Sequence, residues 1–471
     1  MKLIQSLRWI PGLLAFWLCA PWAWGYVTFS TLVAFDGTNG ASPKGGLLQG
    51  RDGSFYGTTV SGGAANAGTV FWLSADGRAF KTLYSFSGSG DGANPSAALA
   101  QGSDGNLYGT AYNGGVSNSG TLFQLTPGGD FTLLASLSGT NGAQPDAALV
   151  QASDGSWYGT TDDGGPFTNM VFQAAGYGSI FRLAPDGQMS APVLFGNSNG
   201  ARPGPLTQGP DGNFYGTTVW GGPYVNGSAY GLGYGTIFMM STNGILTTLY
   251  SFTGAEDGGW PYAGLVLGKD GNFYGTALSG GRQFYGYGVI FQVTPDGKYS
   301  KLHTFVNSDG ANPYAGLIQG SDGNFYGTTY AGGAQSLGTV FRVTPNGALT
   351  TLYTFGGSVD GGNPLGDLVQ ASDGNFYGTA ATGGAYSNGV IFRVSVPLPP
   401  VIRSVVATPE AVTLTWSAVA TQSYQVQYKN SLAETNWTNL GGSLDAISGT
   451  LEAADLAPSA PQRWYRILGL P

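Results

Sequence analysis

With one histidine, His303, and one cysteine, Cys19, among 471 residues, this chain cannot assemble a Ser-His-Asp set, a Cys-His pair or a histidine metal cluster. His303 sits in a strand-like run, KLHTF, where a packed or surface role is expected. Chemistry would have to come from carboxylates and aromatic rings. Asp162 or Asp163 with Glu256 or Asp257 offers the two carboxylates that a glycosidase uses. Around these acids stand Trp220, Tyr224, Tyr230, Tyr234 and Trp260, then Phe284, Tyr285 and Tyr287, with Arg202 and Arg282 among them. Rings beside polar side chains suit the apolar faces and hydroxyls of sugars, and clustered Trp, Tyr and Arg suit a protein hot spot. The competing expectation is that long Gly- and Tyr-rich loops fold over and cover themselves.

These residues are positioned by a repeat. The block D-G-x-x-Y-G-T begins at Asp52, Asp104, Asp154, Asp211, Asp270, Asp322 and Asp373, at spacings of 52, 50, 57, 59, 52 and 51 residues. Self-similarity at such a period has to be read before any single element. Each copy holds an apolar run ending near Gln, an aromatic run such as NFYGTT, a Gly-Gly pair, a G-[TSV]-[VLI]-F run and a fourth run such as TTLYTF. Short runs rich in Val, Thr, Tyr and Phe joined by Asp-Gly or Asn-Gly are a strong hairpin signal. Four antiparallel strands per copy make one propeller blade. The paired rings of the second run, Phe55-Tyr56 through Phe376-Tyr377, and the third-run Phe of every copy are expected to be core.

The seventh copy stops after its third run, GVIFRVSV, while FSTLVAF at Phe29 to Phe35 matches a fourth strand and has no blade of its own. The surplus strand and the missing strand are one element, offset around a circle, and pairing them leaves no open edge. The expected fold is therefore all-β: a seven-bladed β-propeller over residues 26–396, closed by an N-terminal strand.

Between blades every copy carries [Asp/Asn]-Gly-x-x-Pro, beginning at Asn39, Asp91, Asn141, Asn199, Asp257, Asp309 and Asp360. A turn capped by the Asx side chain is the expected role. A ring of oxygens holding calcium is the alternative, and otherwise no cofactor and no metal site is expected. The connections after Gly-Gly run to 4, 4, 12, 12, 6, 4 and 4 residues, so three neighbouring blades carry insertions. Long loops on one face of a rigid scaffold are where binding usually resides.

At the start, Lys2 and Arg8 precede an apolar run and Ala23-Trp24-Gly25, the pattern of a signal peptide over residues 1–25. Its apolar run is too short and too broken by Pro11 and Pro21 for a membrane span. Cys19 lies inside it, so the exported chain would owe nothing to disulfides. Eighteen Lys and Arg against 26 Asp and Glu leave no basic field for nucleic acid. Charged residues make up only 9% and glycines number 81, which fits a turn-rich β protein outside the cell, at its surface or in a periplasm.

After a proline-rich linker, residues 397–400, the runs VTLTWSAV, YQVQYKN and RWYRILGL make a small β-sandwich over residues 401–471. These runs resemble a fibronectin type III domain, with Trp416 in the second-strand position and Tyr424 to Tyr428 in the third. With no run after Leu470, a last strand is not evident.

The seven copies of D-G-[NS]-[FLW]-Y-G-T, each followed by Gly-Gly and G-[TSV]-[VLI]-F, resemble the bacterial GloVer tandem-repeat family, also described as choice-of-anchor proteins. That resemblance implies export and often a C-terminal sorting signal, and it implies no activity and no catalytic residues. The chain departs from the pattern at its end, where a sandwich stands in place of a hydrophobic tail. At the level of the blade its turns are also similar to those of two-component-regulator and streptogramin-lyase propellers.

The sequence thus points to an exported, monomeric binding module for an extracellular glycan or cell-surface protein. Its candidate ligand residues are Asp162, Asp163, Trp220, Tyr224, Tyr230, Tyr234, Trp260, Arg282, Phe284, Tyr285 and Tyr287. A carbohydrate-active hydrolase or lyase is the second expectation, and a structural spacer the third.

Overall fold

The structure is a computed structural model that describes residues 27–165, 176–224, 233–282, 286–396, 400, 402–408, 410–418, 423–431, 433–447, 449–456 and 463–470. The expected signal segment therefore lies outside the described residues. So do Phe167, Phe172, Tyr230, Phe284 and Tyr285 of the insertions. The chain divides into two compact units. The larger spans Phe29–Ala371 and Phe376–Arg393, and the smaller includes Val394–Pro471.

Among the described residues all regular structure is β. In the first repeat Leu48–Gln49, Phe55–Thr59, Thr69–Leu73 and Phe80–Ser85 pair antiparallel in that order. The order recurs in the sheets that start at Ala100, Val150, Thr207, Val266 and Ile318, and Ala201–Pro203 adds a strand to the fourth. In the seventh, Val369–Gln370, Phe376–Ala380 and Val390–Ser395 are followed by Thr28–Ala34. The N-terminal strand thus lies beside the last strand of the repeat array, and the Phe35 amide donates to the Gly389 carbonyl at 3.0 Å.

Period-two alternation explains why the second strands are buried throughout, since each puts one ring on either face. Tyr108 meets Trp157 of the next sheet at 4.3 Å, Tyr158 meets Phe214 at 4.5 Å, Tyr215 meets Phe273 at 4.2 Å and Tyr274 meets Phe325 at 4.0 Å. Tyr326 meets Phe376 at 4.0 Å, and Tyr377 of the seventh sheet meets Phe55 of the first at 4.3 Å. The glycine between Tyr and Thr is demanded by the third-strand ring. A Cβ on Gly57 would stand 2.4 Å from Phe71 Cζ, and one on Gly378 would stand 2.6 Å from Phe392 Cζ.

Threonines of the second strands latch neighbouring sheets. Thr58, Thr160, Thr217, Thr276 and Thr379 donate to the carbonyls of Ala97, Gly204, Ala263, Ala315 and Gly45, each in the following sheet, at 2.8–3.2 Å. The equivalent Thr110 and Thr328 hydroxyls are buried without a partner. At those two boundaries a carboxylate does the bridging instead. Ser96 donates to Asp146, and the Gly316 amide donates to Asp367 Oδ1 at 2.5 Å.

The smaller unit pairs Ile402–Ala407, Ala411–Ser417 and Thr450–Leu456 in one sheet, and Thr438–Asn439, Ser423–Lys429, Leu444–Asp445 and Trp464–Gly469 in another. Its core is Leu414, Trp416, Tyr424, Val426 and Tyr465. The expected run RWYRILGL supplies the last strand, Trp464–Gly469, which pairs with Tyr424–Lys429 and buries Trp464 and Tyr465. Arg463 is buried against Asp455 at 2.5 Å, and the Tyr465 hydroxyl donates to the same carboxylate.

Candidate functional site

The entry turns and the connections after the second strands share one face, because the amides of Gly63, Gly115, Gly165, Gly281 and Gly333 donate to carbonyls in their own sheets' entry turns. In each turn the Asx side chain is spent on the turn. Asp91 accepts from the Ser87 amide and the Tyr84 hydroxyl, Asp257 from Thr253 and Tyr250, and Asp360 from Gly356 and Tyr353. His303 occupies the tyrosine place of this arrangement, its Nε2 lying 3.1 Å from Asp309. Among the described residues no group of three or more His, Cys, Asp or Glu could hold a metal ion.

Three residues after the Asx, just before proline, the backbone is left-handed in all seven turns. Ser42, Asn94, Gln144, Arg202, Trp260, Asn312 and Asn363 have φ between 52° and 60°. Each amide there reaches back to the preceding sheet, from Ser42 to the Asn388 carbonyl at 2.8 Å through Asn363 to Leu337 at 2.7 Å. Asparagine tolerates this conformation. Arg202 and Trp260 do not have that tolerance, and strain of this kind gathers at functional sites. The Arg202 guanidinium lies 4.3 Å over the Trp220 ring. Trp260 rests on Tyr234, with ring centres 6.2 Å apart and its Nε1 directed at the Gly233 carbonyl at 3.4 Å. Tyr234 is itself buried beside Phe252 and carries Trp260 from below. Tyr224, Tyr287 and Arg282 are exposed.

Ser42 and Asn363 also border a cavity of about 590 Å³ lined by all seven sheets of the larger unit. The residue after each turn proline faces it or flanks it: Lys44, Ser96, Asp146, Gly204, Tyr262, Tyr314 and Leu365 in chain order. Just before the leucine that follows, where the other sheets have Gly, Ala or Pro, the seventh has Asp367. Tyr262 and Tyr314 are 4.8 Å apart, and Tyr330 meets Tyr314 edge-on at 5.4 Å.

Asp162 follows the second strand of the third sheet, Trp157–Thr161, and lies with Asp146, Arg202 and Tyr262 about a smaller recess. Burial first, and then the negative charge of Asp146, push its carboxyl up to about 8 against the pull of Arg202. Burial also raises Asp146, Asp163 and Asp367, opposed at Asp146 by the Ser96 hydrogen bond and the charges of Lys44 and Arg202. Asp146 and Asp367 reach the cavity space although protein surrounds them, so solvent there moderates their rise. The same burial lifts Tyr262 to about 12. The acid that acts on Asp162 is thus Asp146. Glu256 is held by Lys301 at 2.9 Å, and Asp257 caps its turn.

The family model of the Gloeobacter/Verrucomicrobia repeat matches residues 24–174 and 226–406, more than half the chain. The chain belongs to that family. Among solved structures, this Gloeobacter/Verrucomicrobia repeat protein is similar to a catalytically inactive virginiamycin B lyase from Staphylococcus aureus with quinupristin. The identity is 14% and the TM-score 0.52, over 79% of this chain and 99% of that one. It is also similar to the extracellular domain of a putative hybrid two-component system from B. thetaiotaomicron, at 12% identity and a TM-score of 0.50, over 93% of this chain and 57% of that one. At such identities the likeness speaks for a propeller-like fold alone. No curated protein matches the chain in sequence. Among the described residues no helix is long and apolar enough to cross a membrane.

Of the residues expected from the sequence, Asp162 faces Arg202, which covers Trp220, and Tyr234 supports Trp260. Motif and loop length alone do not point to Lys44, Asp146, Tyr262, Tyr314, Tyr330 or Asp367. The signal was present all the same: near-identical repeats diverge after the turn proline, where packing asks for nothing in particular.

Proposed function

We propose that this protein is an exported binding module whose seven sheets close into a seven-bladed β-propeller, with the C-terminal unit a fibronectin-III-like sandwich. The contacts from the seventh sheet back to the first, through Thr379, Tyr377 and the strand Thr28–Ala34, support closure. The ligand is an extracellular glycan, taken at the face that carries Trp220 and Trp260 and into the cavity below. One observation carries this reading: a cavity of ligand size, about 590 Å³, whose wall is the place where the repeats differ most. The test is retention of the mature chain, residues 26–471, on cell-envelope polysaccharide. Trp220→Ala and Trp260→Ala should each weaken it at least tenfold, and retention unchanged in both variants would refute the reading.

A carbohydrate-active enzyme is the second reading, favoured by the interacting carboxyls of Asp146 and Asp162, one of which is protonated near neutral pH. It predicts turnover of the bound glycan that Asp146→Asn abolishes while binding persists. Bound glycan recovered intact after long incubation counts against it.

A further inference from the structure

The sheets repeat one another closely in their cores and differ at the cavity, and the differences are segregated. Lys44 and Asp146 come from the first and third sheets, with Ser96 between them. Tyr262, Tyr314 and Tyr330 come from the fifth and sixth. The space is therefore charged on one side and aromatic on the other. The tyrosine wall is built as a surface, since Tyr262 and Tyr314 touch at 4.8 Å with planes 47° apart and Tyr330 abuts Tyr314 edge-on. Such a wall receives the C–H face of a saturated ring and attracts a cation beside it.

Charge selects further. Lys44 acts on Asp146, as does Arg202. Asp367 differs: among the described residues, its carboxylate has the Gly316 amide on Oδ1 and no cation acting on it. It stands at a position that is Gly, Ala or Pro in the six other sheets, so the ring does not need an acid there. A carboxylate at the cavity wall with no cation acting on it is open to a cationic group of a ligand, through a charge-assisted hydrogen bond.

We infer that the cavity takes an amino sugar, its ring against Tyr262 and Tyr314 and its ammonium on Asp367. This rests on the glycan-binding reading above and names the class of sugar. A uronate would bring its carboxylate toward Asp146 and Asp367 and is rejected.

The experiment is calorimetric titration of the mature chain with three probes: a trimer of glucosamine, cellotriose and a trimer of glucuronate. The glucosamine trimer should bind at least tenfold more tightly than cellotriose, and the glucuronate trimer more weakly than either. Tyr314→Ser installs the residue that the second sheet has at the same place, so the fold accommodates it. It should weaken both the amino and the neutral trimer at least tenfold. Asp367→Asn still accepts the Gly316 hydrogen bond and removes only the charge. It should erase the preference for the amino sugar and leave cellotriose unchanged. Preference for glucuronate, or binding that neither variant alters, overturns the inference and leaves the broader reading standing if envelope polysaccharide is still retained through Trp220 and Trp260. Failure to bind any probe or any envelope polysaccharide overturns both.

Discussion

Replacing Phe35 by alanine tests the closing strand at its most buried point. Phe35 is fully buried and packs 5.5 Å from Phe71 and 5.9 Å from Phe80, on the first sheet. Its counterparts repeat this contact within continuous chain, Phe305 lying 5.3 Å from Phe341 and Phe252 lying 5.4 Å from Phe291. Truncating a buried Phe costs about 3–5 kcal/mol. If the N-terminal strand is an equal member of its sheet, Phe35→Ala should cost as much as Phe305→Ala, on the order of a 10 °C fall in Tm for a domain of this size. Urea unfolding followed by tryptophan fluorescence would measure both variants against the unaltered chain. Phe35→Ala should also speed proteolysis near Thr28–Ala34, because a loosened strand exposes the edge of Val390–Ser395. The reasoning is refuted if Phe305→Ala lowers stability by the expected amount while Phe35→Ala leaves the urea midpoint in place.

Asp162 is held protonated in the fold well above its ordinary range, so the unfolded chain binds fewer protons than the native one between about pH 4 and 8, and stability falls as pH rises through that window. Asp162→Asn should flatten this slope, Asp146, Asp163 and Asp367 keeping the remainder, and leave the variant ~2 kcal/mol more stable at pH 8 after discounting for solvent in the recess, as read from urea midpoints at pH 5 and 8. Trp260→Asn places at a left-handed site the residue that Asn94, Asn312 and Asn363 already hold there. Thermal denaturation should show stability unchanged or higher by up to about 1 kcal/mol, while glycan retention is lost. In the smaller unit, Asp455→Ala strips Arg463 and Tyr465 of their shared buried acceptor. It should cost about 3–5 kcal/mol and unfold that unit first, seen as early exposure of Trp416 and Trp464 in fluorescence, with the larger unit's transition unmoved.

The strands were legible because the forces that make them are local. Asp-Gly and Asn-Gly turns, alternating rings and a glycine under each third-strand Phe act within a few residues, and seven copies restate them. Even the non-local pairing of Phe29 to Phe35 with Gly389 to Val396 could be read, since one strand too many and one too few have a single solution. The run that ends the smaller unit was legible too, but its partner was not: its alternation buries Trp464 and Tyr465 only against Ser423–Lys429, which the local pattern does not name.

The site divides in the same way. The amino-acid sequence by itself determined the strand inventory, the insertion-bearing repeats and the exclusion of histidine and cysteine chemistry, because these depend on residue type and spacing. Only the tertiary structure decided that Lys44, Asp146, Tyr314 and Asp367, spread over more than three hundred residues, share one cavity. It also decided that Asp162 keeps its proton beside Asp146 and that Tyr234 lies beneath Trp260. Those outcomes depend on distances between sheets and on exclusion from solvent, and neither is encoded in the spacing of residues along a chain.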